Sequence, residues 1–260
     1  MSADRIQLKT GREIEAMRKA GKLTAAARAL AGAMVKPGIS TRSIDRAVRE
    51  FIVQNGGKPS FLHYNGYPAS VCVSINETVI HGIPGGRIIR DGDIVSIDVG
   101  AYIDGFHGDC AATYAVGDCS PEALRLIKVT RESFFEALKF ARVGYRISDI
   151  SRAVQEHAEA AGYSLVREFV GHGVGSKMHE PPEVPNFVSN EHGHGVRLTP
   201  GMTLAIEPMV NMGGPEVRIL SDDWTVVTAD GKLSAHYENT ILITDGEPQI
   251  LTPIEGDGFV

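Results

Sequence analysis

The sequence predicts an α/β fold of two pseudo-symmetric halves whose sheets join around an acidic cleft, and three observations carry that expectation. A helix pair recurs at a constant offset of 106 residues: Gly38 with Gly144, Ile44 with Ile150, Arg46 with Arg152, Ala47 with Ala153, Val48 with Val154 and Gly56 with Gly162. The strand GDIVSID at 92–98 has a counterpart in GMTLAIE at 201–207, each a Gly-opened apolar run ending on a carboxylate. The stretch DGDIVSIDVGAYIDGFHGDCAATYAV at 91–116 reads as a β-hairpin with two acids on one face. Recurrence at one offset around the same helix is the mark of a duplicated unit.

Taken in order, Thr10 and Glu13 match a helix capping box, and an Ala-rich helix is expected from Glu13 to Met34, broken by Pro37-Gly38. A second helix follows from about Thr41 to Gln54, with Ile44, Val48 and Phe51 at helical spacing and Asn55-Gly56-Gly57 as its stop. In the hairpin, an Asp104-Gly105 loop pairs Ile103 with Phe106, Tyr102 with His107 and Gly100 with Asp109. Asp98, two residues before Gly100, then shares a face with Asp109 at a diagonal spacing of about 7 to 8 Å. Val95, Ile97 and Val99 form the opposite, apolar face. Ser120-Pro121-Glu122 opens the second helix pair, a long helix to about Ala141 and a short amphipathic one ending near Gly162.

Of the 260 residues, 43% are hydrophobic and 22% charged, ordinary globular proportions that allow a sizeable core. A net charge of −6 without a dense Lys/Arg run leaves no electrostatic footprint for nucleic acid or an anionic membrane. No apolar stretch reaches the roughly 18 residues of a membrane span, and the N-terminus lacks a signal-peptide core. Cys72, Cys110 and Cys119 are odd in number and contain no C-x-x-C pair, which fits a reducing, cytoplasmic setting.

The chemistry lies in the acids. Asp98 and Glu207 each follow directly on an apolar strand, and the next strand of each half carries another acid, Asp109 in one and Glu238 in LSAHYENTILIT. A single acid beside a turn is ordinarily solvated. Four carboxylates at strand ends with no interleaved Lys or Arg need a cation, because an unpaired buried charge is very costly. GHGVGSKMHEPPEVPN at 171–186 adds His172 between glycines and His179 before a Pro-rich turn, and VIHGIPGG adds His81. Carboxylates with imidazole suit Mn, Fe, Co or Zn, and carboxylates can bridge two ions roughly 3.5 to 4 Å apart. Ligands spread over 98–238 do not resemble a calcium loop. The residues by themselves reach a binuclear metal hydrolase in a duplicated α/β fold. His107 is expected to stay a supporting or solvent-facing residue, Cys110 to point away from the acids, and Glu191-His192-Gly193-His194-Gly195 to be a surface loop.

The motifs GYPASVCVSINETVIHGIP, VSIDVGAYIDGFHGD, GHGVGSKMHEPPEVPN, GMTLAIEPM and WTVVTADGKLSAHYENTILIT, in this order, resemble the type 1 methionine aminopeptidases of bacterial size. The likeness covers essentially the whole chain. It implies the pita-bread fold in a single catalytic domain over 1–260, with halves at about 12–119 and 120–250. It further implies two divalent metal ions (Co, Mn, Fe(II) or Zn) held by Asp98, Asp109, His172, Glu207 and Glu238, with Asp109 and Glu238 bridging. Glu207 would serve as general base, His179 would stabilise the tetrahedral intermediate and His81 would contact the substrate near its first peptide bond. Phe61, Tyr64, Tyr67, Cys72, Met178 and Trp224 would line the methionine pocket, where aromatic edges and sulfur suit a thioether. At Phe61 the family often carries a cysteine, and at Met178 a phenylalanine.

The implied activity is removal of the initiator methionine from nascent chains whose second residue is small, by a cytoplasmic monomer, with the ribosome a candidate partner. Met1-Ser2 is itself such a terminus. Two rivals share the fold: an Xaa-Pro aminopeptidase or prolidase, and a non-catalytic binding protein. The first usually carries a separate N-terminal domain, for which a metal hairpin arriving by residue 98 leaves little room.

Overall fold

The computed structural model describes residues 6–189 and 193–253, so that Met1-Ser2 and Glu191-His192 lie outside the described residues. Helix α1 spans Gly11–Ala33. The Glu13 carboxylate accepts from both the Thr10 backbone N–H (2.7 Å) and the Thr10 hydroxyl (2.8 Å), which holds the first turn as the capping pattern requires. Helix α2, Thr41–Gln54, starts where the Ser40 hydroxyl accepts from the Ser43 N–H and stops at Gly56, whose φ of +79° suits glycine.

Short strands β1 (Lys58–Pro59), β2 (Val71–Ile75) and β3 (Thr78–Ile80) lead into the hairpin of β4 (Ile94–Ile103) and β5 (Phe106–Ala115). Its register is the expected one, with Ile103 opposite Phe106 and Gly100 opposite Asp109. Asp104 and Gly105 both have positive φ, at +52° and +89°, as a twist-matched two-residue turn demands.

Helices α3 (Pro121–Leu138) and α4 (Ile147–Ala160) repeat the helix pair. Helix α3 stops three residues short of the expected Ala141 because its end tightens: the N–H groups of Phe140 and Ala141 bond the carbonyls of Ala137 and Leu138. There follow β6 (Ser164–Leu165), β7 (Gly171–Gly173), β8 (Glu180–Val184), β9 (Thr203–Ile206), β10 (Met209–Asn211), β11 (Val217–Ile219), β12 (Val226–Thr228), β13 (Ser234–His236), β14 (Glu238–Leu242) and β15 (Gln249–Ile250). The expected Pro-rich turn after His179 is in fact β8. It forms the outer strand of its sheet, where prolines that cannot donate are tolerated.

The main sheet runs β1-β4-β5-β14-β9-β7-β8, with β2 also on β4 and β15 also on β14, and every pairing is antiparallel. The β5–β14 pairing, Glu238 opposite Ala111, welds the first half to the second. Alternation then sorts the side chains. Val95, Ile97 and Val99 pack with Ile44, Val48 and Ile52 of α2 and with Ala27 and Ala31 of α1. Leu204, Ile206 and Ile241 pack with Leu126, Phe134, Ile150 and Val154 of α3 and α4. One face of the sheet is thus covered by both helix pairs, burying side chains that stabilise by about 1.5–3 kcal/mol each. The other face is left for the acids, walled by the small sheets β13-β10-β6 and β11-β12-β3.

Candidate metal centre

Asp98 on β4 and Glu238 on β14 both lie opposite Ala111 of β5, and Asp109 is two residues from Ala111 on the same face. The strand alternation that buries Val99 among helices therefore turns these three carboxylates together. Glu207 directly follows β9. His172 pairs with Ala205 of that strand, and a register shift between His172 and Gly173 re-aims the imidazole. The flanking glycines have a steric reason. A Cβ on Gly173 would stand 2.5 Å from the Pro181 carbonyl oxygen, and one on Gly171 would stand 2.4 Å from that of Ala205.

Oxygens of Asp109 and Glu238 and a ring nitrogen of His172 lie within 4.8 Å of one another. The His172 Nε2 is 3.5 Å from Glu207 Oε1 and 3.7 Å from Asp109 Oδ2. Its Nδ1 lies 2.8 Å from the Gly173 carbonyl oxygen, which can only accept. The ring proton is therefore on Nδ1, and the bare Nε2 faces the acids. Burial depresses the His172 pKa to about 3, which keeps the ring neutral and able to ligate. Burial raises Asp98 to about 7, tempered by the Cys72 thiol. Burial, reinforced by neighbouring carboxylates, raises Asp109, Glu207 and Glu238 well above the ordinary range.

Among the described residues, Asp98 Oδ1, Asp109 Oδ1 and Glu238 Oε1 are buried with no hydrogen-bond partner, and no Lys or Arg lines the cavity. Such a set calls for a cation, and its oxygens and single neutral imidazole fit a divalent metal.

The acids form the floor of a cavity of about 230 Å³. Every residue expected at the site lines it: Phe61, Tyr64, Tyr67, Cys72, His81, Met178, His179 and Trp224 join the five acid and imidazole residues. Tyr67 and Trp224 meet edge to face at 5.1 Å. His81 sits at a φ of +57°, in the left-handed region, with its ring edge-on to Phe169 at 5.7 Å and its pKa lowered to about 4 by burial. The His179 ring lies 4.1 Å from that of His172, and its Nδ1 is 2.7 Å from the Tyr64 hydroxyl. His107 contributes no wall; its Nδ1 meets the Ser60 hydroxyl at 2.8 Å.

Asn65, Ile80, Phe169 and Val170 also line the cavity and were not legible, since no pattern ties them to the acids. His236 was missed too. It is buried with Nε2 3.9 Å from Glu238 Oε2 and 4.0 Å from Glu207 Oε2. Its place two residues before Glu238 on an alternating stretch is the signal that marks it.

These shifts set a pH test. Without metal the native state holds protons up to about pH 7 at Asp98 that an unfolded chain releases near 3.8, so stability falls as pH rises between those values. A metal replaces those protons. The rise in thermal midpoint on adding Mn(II) is therefore expected to be larger at about pH 7.5 than at about pH 5.5. Equal gains at both would contradict the assignment.

Comparison with known proteins agrees with this geometry. The profile of metallopeptidase family M24 matches residues 15–245. A methionine aminopeptidase of Clostridium perfringens is 54% identical over 96% of this chain and 100% of its own length. The crystal structure of methionine aminopeptidase from Thermotoga maritima superposes with a TM-score of 0.93 at 44% identity, over 95% of this chain and 99% of that one. A prolidase from Pyrococcus furiosus shares the fold at a TM-score of 0.77 but is 24% identical, and this chain covers 66% of it. The likeness in sequence and structure is thus to one branch of a shared fold, and the chain belongs to metallopeptidase family M24 as a member of its methionine aminopeptidases.

Proposed function

We propose that the protein hydrolyses the first peptide bond of chains that begin with methionine and carry a small second residue, acting in the cytoplasm on nascent chains as a monomer. The observation that carries this reading is the single cavity in which a donor set fit for metal forms the floor and an aromatic, sulfur-bearing wall stands beside it. Three buried cysteines that form no disulfide accord with the cytoplasm, and among the described residues no helix is long and apolar enough to cross a membrane.

In this reading Asp98, Asp109, His172, Glu207 and Glu238 would hold two divalent ions of Mn, Co, Fe(II) or Zn. Bound there, the ions supply Lewis-acid polarisation of a carbonyl and lower the pKa of a water. The protein's own groups do the rest. Glu207, at the edge of the acid cluster, accepts the proton of the attacking water and can return it to the leaving amine. Burial raises the Tyr64 pKa and keeps its hydroxyl protonated; in this reading that hydroxyl donates into His179 Nδ1, 2.7 Å away. The His179 proton then sits on Nε2, from which it hydrogen-bonds the developing oxyanion. His81, held by Phe169 and Trp224, meets the peptide at the scissile bond. Phe61, Tyr64, Tyr67, Cys72, Met178 and Trp224 take the methionine side chain. The preference for a small second residue rests on the family resemblance.

The test compares cleavage of Met-Ala-Ser, Met-Leu-Ser and an Xaa-Pro peptide by chelator-treated protein, before and after adding Mn(II), Co(II), Fe(II) or Zn(II). Metal-restored cleavage of Met-Ala-Ser alone is expected. Preference for Xaa-Pro would keep the metal centre and overturn the pocket. Metal binding without cleavage of any peptide would make the protein a binding module.

A further inference from the structure

The loop that carries Met178 and His179 into the cavity is anchored from outside it, by the segment preceding α1. Lys9 Nζ lies 2.5 Å from Glu180 Oε2, and the two side chains are only 4% and 3% exposed although 171 residues separate them. The Lys9 backbone N–H is tied to the Gly201 carbonyl at 2.8 Å. The other carboxylate oxygen of Glu180 turns to the loop, accepting from the Lys177 N–H (3.1 Å) and the Ser176 hydroxyl (3.3 Å). Gly175 lies directly on the pair. A Cβ there would stand 2.6 Å from Glu180 Oε1 and 2.6 Å from Lys9 Nζ, so any side chain at this position would displace the paired ends of Lys9 and Glu180. The carbonyl of Gly175 in turn accepts from the His107 N–H at 2.8 Å. Both ends of the loop are therefore fixed, and the residues between its fixed points are Met178 and His179.

A buried ion pair is a poor device for stability alone, because two apolar side chains of the same volume often serve as well or better. What they cannot do is hold a carboxylate oxygen in place to receive two loop donors. Neither Lys9 nor Glu180 lines the 230 Å³ cavity, so the pair has no direct part in binding substrate there. We propose that Lys9 is a positioning residue for the reaction: paired with Glu180, it locks the 175–179 loop so that His179 meets the oxyanion and Met178 closes the pocket. This rests on the role of His179 given above.

Lys9→Met alone would strand a buried carboxylate, which can unfold the protein. The test therefore uses Lys9→Met combined with Glu180→Gln, which removes both charges and keeps an oxygen for the loop donors. Glu180→Gln alone serves as a second variant, since it breaks the ion pair while keeping an oxygen for the loop donors. The expected result, in folded protein, is a fall in kcat for Met-Ala-Ser of about 10- to 100-fold, with KM changing much less. In chelator-treated, 15N-histidine-labelled protein, the His179 imidazole signals, identified by their loss in His179→Ala, are expected to shift or broaden. Folded variants with wild-type kcat and unmoved His179 signals would overturn the proposal. So would a loss of kcat with those signals unmoved. Displaced His179 signals in a protein whose wild type cleaves no methionyl peptide would leave the positioning intact and overturn the proposed function instead.

Discussion

Glu238→Gln is expected to abolish tight metal binding and to lower kcat/KM for Met-Ala-Ser by at least about a thousandfold, some 4 kcal/mol of transition-state stabilisation. Glu238 lies at the centre of the donor set, opposite Ala111 between Asp98 and Asp109 on one side and Glu207 on the other. Its Oε1 is buried without a hydrogen-bond donor. The substitution keeps shape and volume, removes a charge and leaves a neutral amide that ligates divalent cations weakly. Stability without metal should move the opposite way. Burial and the charges of Asp109, Glu207 and Asp98 all raise the Glu238 pKa, so removing this carboxylate relieves a strain that metal-free protein must otherwise carry. Titration calorimetry with Mn(II) and thermal unfolding in chelator check the two halves together. Wild-type metal affinity in Glu238→Gln would remove the residue from the ligand set.

His179→Ala is expected to lower kcat by about 100- to 1,000-fold while KM for Met-Ala-Ser stays within a few-fold, the cost of losing one donor aimed at a developing oxyanion. The ring stands 4.1 Å from that of His172 and is held through Nδ1 by Tyr64. Burial lowers its pKa, so it is neutral at working pH and its donor is a single N–H rather than a charge. Metal affinity should be close to wild type, which separates this variant from Glu238→Gln. A rise in KM with kcat unchanged would make His179 a binding residue and not a stabiliser of the transition state.

The hairpin was readable because its determinants are local. An Asp-Gly turn sets the register, a period of two sets the faces, and Asp98 and Asp109 fall on one side without reference to the rest of the chain. The helix pair was readable because duplication copies its glycine stops and apolar spacing. Local signals also misled. Glu180-Pro181-Pro182 carries turn chemistry, yet it forms β8, because an outer strand asks little of its N–H groups. His236 comes beside Glu207 and Glu238, and Phe169 onto the cavity wall, only in the folded chain, and a residue's distance from the acids in sequence does not announce its distance in space.

By itself the sequence determined the acidic hairpin, the repeated helix pair with its glycine stops and the shared face of Asp98 and Asp109, since these follow from backbone sterics and alternation within a dozen residues. The tertiary structure alone decided that β5 pairs with β14, bringing Asp109 and Glu238 into one donor set. It alone decided that Lys9 closes on Glu180. Those partners lie more than a hundred residues apart, and their meeting is selected by the burial of whole sheet faces against four helices, a property of the assembled core that no local stretch contains.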